Sequence, residues 1–372
     1  MPSRRTTTES LAEGLHDVYP ELEAIGATAA DPVYLVGGAV RDLLLGRGRA
    51  DIDLAVVGDP AVLAGALGAA TISEHERFAT AKVELDGHRI DIAGTRTETY
   101  PHPGALPVVA PADSIEADLG RRDFSLNAMA IPLSAPRLID PHGGQADLER
   151  GLLRVLHRDS FRDDPTRALR AARYAARFGF GLDPETEGLL RAADLGAVSE
   201  DRERAELLRL SAEASAPRGF ELLAEWELVE LREGGAELAT AVIELLAGDL
   251  WSGEASQAEA VIAAAIGPVG AEAKLAVADP ESPSQAVELA RGGDPVELLL
   301  ARALGATWLD EYVGVWRGLT LEIDGSDLLA AGVPEGPAMG RALGEVLRRK
   351  LDGELGGRAA ELAAAIEAAT GS

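Results

Sequence analysis

A chain of 372 residues is long enough for two or more domains with their own cores, and the absence of cysteine excludes disulfides, thiolate zinc sites and a cysteine nucleophile. A formal net charge of −27 at pH 7 argues against broad polyanion binding, because phosphate recognition is mainly electrostatic, so any nucleic-acid contact must be local and salt-sensitive. The start, Met1-Pro2-Ser3-Arg4-Arg5, lacks an apolar signal core, and the Ala-rich stretch 261–277 is interrupted by Gly267, Pro268, Glu272 and Lys274. No secreted or membrane-spanning segment is expected, and the composition fits a reducing cytoplasm.

In chain order, residues 33–36, 52–57, 82–86, 89–93 and 126–131 have the β-branched or alternating character of strands, with Asp86-Gly87 a hairpin turn between two of them. Leu35-Val36-Gly37-Gly38-Ala39-Val40-Arg41-Asp42 reads as a strand, a glycine turn and a short helix leading to the strand that opens Asp51-Ile52-Asp53-Leu54. Side chains alternate across a strand, so Asp51 and Asp53 share one face while Ile52 and Leu54 enter the core. Paired carboxylates suit Mg²⁺, which usually completes its shell with substrate phosphates. A glycine pair lets backbone N–H groups approach those phosphates, and Arg41 falls on the helix that follows. Each half alone fits an ordinary turn or a solvated strand face; together they point to a phosphate-and-metal site. Asp91, in His88-Arg89-Ile90-Asp91-Ile92, is a third carboxylate by the same alternation, and an exposed strand position would look the same.

Tyr100 to Val109 is a long proline-rich segment with the look of a mobile loop, and Arg121-Arg122-Asp123 offers cationic charge or a surface ion-pair cluster. From Asp164 onward the pattern is helical, with Pro165 at a first helical position and Gly179 and Gly181 as a break. Later apolar clusters, among them Leu207-Leu208-Leu210, Val242-Ile243-Leu245-Leu246, Leu298-Leu299-Leu300 and Leu343-Val346-Leu347, keep helical spacing to the end. Between Arg154 and Arg177, seven arginines face three aspartates, a local net of +4, whereas residues 201–300 carry 7 basic and 20 acidic groups. Asp164 and Arg167 are spaced to share a helical face, which fits a helix cap with an i,i+3 salt bridge. Histidines 16, 75, 88, 102, 142 and 157 show no metal-ligand spacing.

Leu35 to Asp53 resembles the head motif of the class II tRNA nucleotidyltransferases, the family of CCA-adding enzymes and bacterial poly(A) polymerases. Arg121 to Ala128, Asp140-Pro141-His142-Gly143-Gly144 with Asp147-Leu148, and Asp163-Asp164-Pro165-Thr166-Arg167 with Arg170 and Arg173 resemble three further motifs, in family order over about half the chain. The resemblance implies an α/β nucleotidyltransferase head with a mixed sheet and helices at 1–150, then an all-α neck at 151–216, body at 217–300 and tail at 301–372. It implies catalysis by Asp51, Asp53 and Asp91, with Asp51 and Asp53 as ligands of two Mg²⁺ ions. Nucleotide binding would fall to Gly37, Gly38, Arg41, Arg121, Arg122, Asp164, Arg167, Arg170 and Arg173. Asp164 and Arg167 would select cytosine and adenine, which share an amine donor beside a ring-nitrogen acceptor, over uracil and guanine.

The implied activity is addition of C and A to the 3′ end of tRNA from CTP and ATP. The loop at 100–109 favours an enzyme able to add A, since relatives restricted to the two cytidines are implied to lack most of it. Phe78-Ala79-Thr80-Ala81-Lys82-Val83 resembles the tRNA-specific members. Addition of A alone is the second reading, followed by poly(A) polymerase and then a non-catalytic RNA-binding homologue.

Overall fold

The computed structural model describes residues 8–68, 70–75, 80–85 and 87–370; Met1 to Arg5, Phe78, Ala79 and Asp86 of the segments above lie outside the described residues. Two compact units are present, one of residues 1–210 with 222–229 and one of residues 211–221 with 230–372.

The first unit begins with helices α1 (Thr8–Val18) and α2 (Glu21–Thr28), then β1 (Val33–Val36), α3 (Gly38–Leu44), β2 (Ile52–Val56), α4 (Pro60–Ala66), β3 (Ala70–His75), β4 (Thr80–Leu85) and β5 (His88–Gly94). The hairpin β6 (Arg96–Thr99) and β7 (Val108–Pro111), α5 (Ile115–Gly120), β8 (Ala130–Pro132) and α6 (Gly144–Arg150) follow. Six strands form one mixed sheet in the order β3-β4-β5-β2-β1-β8, with β2 and β5 parallel and the other neighbours antiparallel. The expected mixed α/β head is therefore present. Alternation places Leu35, Ile52, Leu54, Val83, Ile90 and Ile92 in a core that α1 and α2 complete with Leu11, Leu15, Leu22 and Ile25. Asp51, Asp53 and Asp91 take the opposite face, and the parallel register sets Asp53 directly beside Asp91.

Two expectations are corrected here. The strand expected at 126–131 shrinks to Ala130–Pro132, because Ser125–Asn127 is a 3₁₀ turn whose Asn127 side chain bonds Asp123 and Arg41 instead of leaving the backbone to pair. The proline-rich segment at 100–109 is largely the tip of the β6–β7 hairpin. Its Gly104, at φ +70°, donates to the Arg162 carbonyl, and the Gly104 carbonyl accepts from Arg202 at 2.6 Å, so the tip is fastened rather than free.

The Asp140 to Gly144 motif fastens the chain behind the site. Asp140 accepts from the N–H groups of Gly144 and Gln145 at the start of α6, and a Cβ on Gly144 would stand 2.2 Å from the Ser125 carbonyl oxygen, so only glycine fits. Helices α7 (Ser160–Asp163), α8 (Thr166–Phe178), α9 (Pro184–Leu190) and α10 (Glu200–Ser211) come next. Along α8, Ala168, Ala171, Ala172 and Ala175 are buried and small enough for close packing, while Gly179 at φ +70° ends the helix in the left-handed conformation. Beyond residue 150, paired strands among the described residues are limited to Leu152–Leu153 with Gly181–Leu182.

Described by itself, the second unit is helical, including Gly235–Ala247, Gln257–Ile266, Pro295–Ala303, Pro337–Leu351 and Arg358–Thr370. Leu328, Val346 and Ala365 anchor one of its cores, beside a part-buried Lys350–Glu361 ion pair at 2.6 Å. Among the described residues, no helix of the chain is long and apolar enough to cross a membrane.

Candidate active site

One cleft of about 1130 Å³ lies within the first unit, and Gly37, Gly38, Arg41, Asp51, Asp53, Asp91, Arg121, Arg122, Asp164, Arg167, Arg170 and Arg173 all line it. Residues from β1, β2, β5, α5 and α8 thus converge on one space, although α8 is far from the strands in sequence.

At the sheet end, Gly37 turns the chain with φ +68° and ψ −129°, and a Cβ there would stand 2.9 Å from Arg122 Nη1 and 3.9 Å from Asp53 Oδ2. The glycine is what brings backbone, guanidinium and carboxylate together. Arg122 is held by Asp118 Oδ2 at 3.0 Å and by the Asn127 carbonyl at 3.3 Å, while its buried Nε has no acceptor. Asp118 is buried against its own charge, yet Arg122 and Arg121 beside it keep its carboxyl below the usual range. Arg121 also reaches Glu98 at 2.8 Å. Arg41 is buried, donating to Asp42 at 2.8 Å and to Asn127 at 2.7 Å.

Asp53 is exposed to the cleft and stands beside two like charges. Burial, opposed by Arg122 and then reinforced by Asp91 and Asp51, pushes its carboxyl up to about 6. Asp91 Oδ2 accepts from Lys82 Nζ at 2.8 Å, and its buried Oδ1 has no donor. Among the described residues no group of three or more His, Cys, Asp or Glu side chains is gathered tightly enough to hold a metal ion alone. Neighbouring oxygen-only carboxylates, one of them with an oxygen that has no donor, nevertheless fit a hard divalent cation whose remaining ligands come from substrate.

The helical wall differs from a simple shared helix face. Pro165 disfavours helical backbone in the residue before it, so Asp164 is extended at φ −136° and ψ 92°, and α8 starts only at Thr166. Asp164 Oδ1 takes the Thr166 N–H at 3.1 Å, the Thr166 hydroxyl at 2.6 Å and Arg202 Nη2 at 2.9 Å. A cap is therefore present, but its ion pair goes to Arg202, not Arg167. Arg167 is buried and donates to Ser160 Oγ at 2.6 Å, the Arg121 carbonyl at 2.9 Å and the Tyr100 hydroxyl at 3.5 Å. Burial pushes that hydroxyl up to about 12, so Tyr100 stays neutral.

Arg170 was expected at phosphates; instead it forks onto Asp123 Oδ2 at 2.8 and 2.6 Å and approaches Glu206 at 3.5 Å. Arg154, Arg158 and Arg162 likewise pair with Asp147, Glu185 and Asp159. Much of the +4 stretch is thus neutralised, because Asp123, Asp147 and Glu185 lie elsewhere in the sequence. Asp118, Asp123, Asn127, Tyr174 and Glu206 also line the cleft. Asp123 and Asn127 sat inside a recognisable motif; the others carried no local signal.

The poly A polymerase head domain matches residues 33–154. An A-adding tRNA nucleotidyltransferase of Halalkalibacterium halodurans is 41% identical over 219 residues, 54% of this chain, and the chain spans about half (51%) of that relative's length. A solved Thermotoga maritima CCA-adding enzyme complexed with tRNA-CCA superposes with a TM-score of 0.74 at 26% identity, covering 96% of this chain and 98% of that one. The CC-adding tRNA nucleotidyltransferase of Deinococcus radiodurans is 36% identical over 323 residues, 82% of this chain and 81% of that protein. With that likeness over most of both chains, and with the motif residues gathered on one cleft, this chain belongs to the class II tRNA nucleotidyltransferase family.

Proposed function

We propose that this protein adds C and A to the 3′ end of tRNA, using CTP and ATP without a nucleic-acid template. The observation that carries the reading is the convergence of the Asp51/Asp53 pair, the Gly37-Gly38 turn and the Asp164/Arg167 pair on one cleft. Asp51 and Asp53, with Asp91 as a third carboxylate, would hold two Mg²⁺ ions, which when bound supply Lewis-acid activation of the primer 3′-hydroxyl and neutralise charge on the triphosphate. The Gly37 and Gly38 backbone and the Arg122 guanidinium beside Gly37 bind the triphosphate. Arg41, Arg121, Arg170 and Arg173 add positive potential around it, with Arg170 acting chiefly as the strut that fixes α8 to Asp123. On this reading residues 1–150 carry the chemistry, 151–216 select the base, and 217–300 and 301–372 meet the tRNA.

Base selection follows from the remaining valences. All three donors to Asp164 among the described residues fall on Oδ1, leaving Oδ2 to accept the exocyclic amine of C or A. Arg167, with both terminal nitrogens engaged, offers Nε to the ring nitrogen. A uracil or guanine would set carbonyl against carboxylate and N–H against guanidinium, a mismatch of order 1–3 kcal/mol. Asp164→Asn keeps an oxygen for the Thr166 cap and removes the charge. Its ratio of kcat/KM for CTP over UTP, on tRNA ending at the discriminator base, is expected to fall roughly tenfold to hundredfold. An unchanged ratio would make Asp164 a helix cap only and remove it from base selection.

A second reading, addition of A alone, is favoured by the A-adding relative, while the β6–β7 hairpin is common to both readings. Incorporation of CTP separates the two.

A further inference from the structure

Asn127 stands where two guanidiniums meet the glycine turn, and each takes a different oxygen from it. Its side-chain Oδ1 accepts from Arg41 Nη1 at 2.7 Å, and its main-chain oxygen accepts from Arg122 Nη1 at 3.3 Å. Both arginines are tied at a second point. Arg41 Nε donates to Asp42 at 2.8 Å and its Cζ lies 4.7 Å from the Phe178 ring centroid, while Arg122 Nη2 donates to Asp118 at 3.0 Å. So fixed, they address the two glycines in turn. A Cβ on Gly37 would stand 2.9 Å from Arg122 Nη1, and one on Gly38 would stand 3.4 Å from Arg41 Nη2. That Arg41 nitrogen has no acceptor among the described residues, and Arg41, Arg122, Gly37, Gly38 and Asn127 all line the cleft.

An amide suits this place because it carries an acceptor and a donor on one planar group, and here the donor side is used as well. Nδ2 donates to Asp123 Oδ1 at 2.9 Å. Asp123 needs a donor and Arg41 an acceptor, so one orientation alone satisfies both, and the amide cannot turn Oδ1 away from Arg41. Asp123 is in turn gripped by both prongs of Arg170, and the Asn127 N–H donates to the Phe124 carbonyl at 2.9 Å, so the backbone that presents the second oxygen is fixed too. A leucine of similar size would leave Arg41 and Asp123 without their partner, and an aspartate would face Asp123 with like charge. Asn127 and Arg41 are both buried, which raises the cost of either loss. We propose that Asn127 is the positioning residue of the triphosphate site, setting Arg41 over Gly38 with its side chain and Arg122 over Gly37 with its backbone, an inference that rests on the nucleotidyltransferase reading above. It holds two cations for the phosphates that every incoming nucleoside triphosphate carries, so its effect is the same for each base.

The test is the affinity of CTP, UTP and CMP for the full chain with Mg²⁺ and without tRNA, measured by calorimetry on wild type, Asn127→Ala and Asn127→Ser. Asn127→Ala is expected to weaken CTP and UTP by the same factor, about tenfold, as for the loss of one hydrogen bond to a charged group. CMP lacks the two outer phosphates, and its affinity is expected to stay within about twofold of wild type. Asn127→Ser leaves a hydroxyl for one of the two partners, so it is expected to shift CTP in the same direction by a smaller factor, and it carries the test if the alanine variant does not fold. CTP and CMP weakened equally in a folded variant would make Asn127 a packing residue of the turn, and unchanged CTP would detach it from the phosphates; either result would overturn the proposal. A wild-type protein that binds CTP more tightly than CMP with this dependence on Asn127, but incorporates nothing into tRNA, would count against the catalytic reading and leave the positioning role standing.

Discussion

Asp53→Asn and Asp51→Asn are expected to lower nucleotide incorporation at least about a thousandfold, roughly 4 kcal/mol of transition-state stabilisation, while tRNA binding and thermal stability are kept. Asp53 stands on the polar face of β2 and Asp51 just before it, both exposed, while Ile52 and Leu54 carry the packing, so their removal leaves the core intact. For Asp53 the electrostatics go further. Its carboxyl is raised from 3.8 to about 6 by burial and by Asp91 and Asp51, against Arg122. A raised carboxyl stabilises the fold in its protonated form, fully below its unfolded value near 3.8, and that contribution is lost as pH rises through about 6. At pH 7.5 the metal-free protein therefore holds an unfavourable charge, and Asp53→Asn should melt at or above the wild-type temperature. Loss of activity together with a clearly lower melting temperature in both variants would show a structural role instead. A stabilised but inactive variant is the pattern expected where function requires a charge that the fold disfavours.

Asp123→Ala is expected to destabilise the first unit by about 3–5 kcal/mol, the usual cost of removing one partner of a buried ion pair. Asp123 accepts the Phe124 N–H at 2.8 Å, the Asn127 amide at 2.9 Å and both prongs of Arg170. It thereby joins the turn that carries Arg122 to helix α8. Burial opposes its charge, but Arg170 and the Asn127 hydrogen bond overcome burial and hold the carboxyl near 2 rather than 3.8. A depressed carboxyl contributes stability that is present above its unfolded value and lost as pH falls from about 3.8 towards 2. The gap in urea midpoint between wild type and Asp123→Asn should therefore be full at pH 6 and shrink below pH 4. A gap independent of pH, or a cost for Asp123→Ala under about 1 kcal/mol, would mean that Arg170 is not held through this charge.

The metal-side half of the site was legible because it is local. Period-two alternation fixes which face Asp51, Asp53 and Asp91 occupy, and a glycine pair between strand and helix, an ordinary turn alone, takes its meaning from the carboxylates beside it. Legibility ended where partners are distant. The arginines of 154–177 read as a basic surface, yet Arg170 is joined to Asp123 47 residues away and Arg158 to Glu185 27 residues away. Helical spacing suggested a shared face for Asp164 and Arg167, and the restriction that Pro165 places on its predecessor defeated it. The segment at 100–109 read as a loop since prolines hide the short β6–β7 pairing on either side of it.

The central claim is that this cleft joins CTP and ATP to a tRNA 3′ end, and incorporation of labelled nucleotide into tRNA ending at the discriminator base tests it most directly. With Mg²⁺, CTP alone is expected to extend the tRNA by two residues, ATP alone by none, and both together by three, with tRNA ending in CC accepting one A. Failure of CTP to enter while ATP extends the CC-ended tRNA would replace full CCA addition by A-addition alone, and no incorporation of either nucleotide into either tRNA would contradict the account.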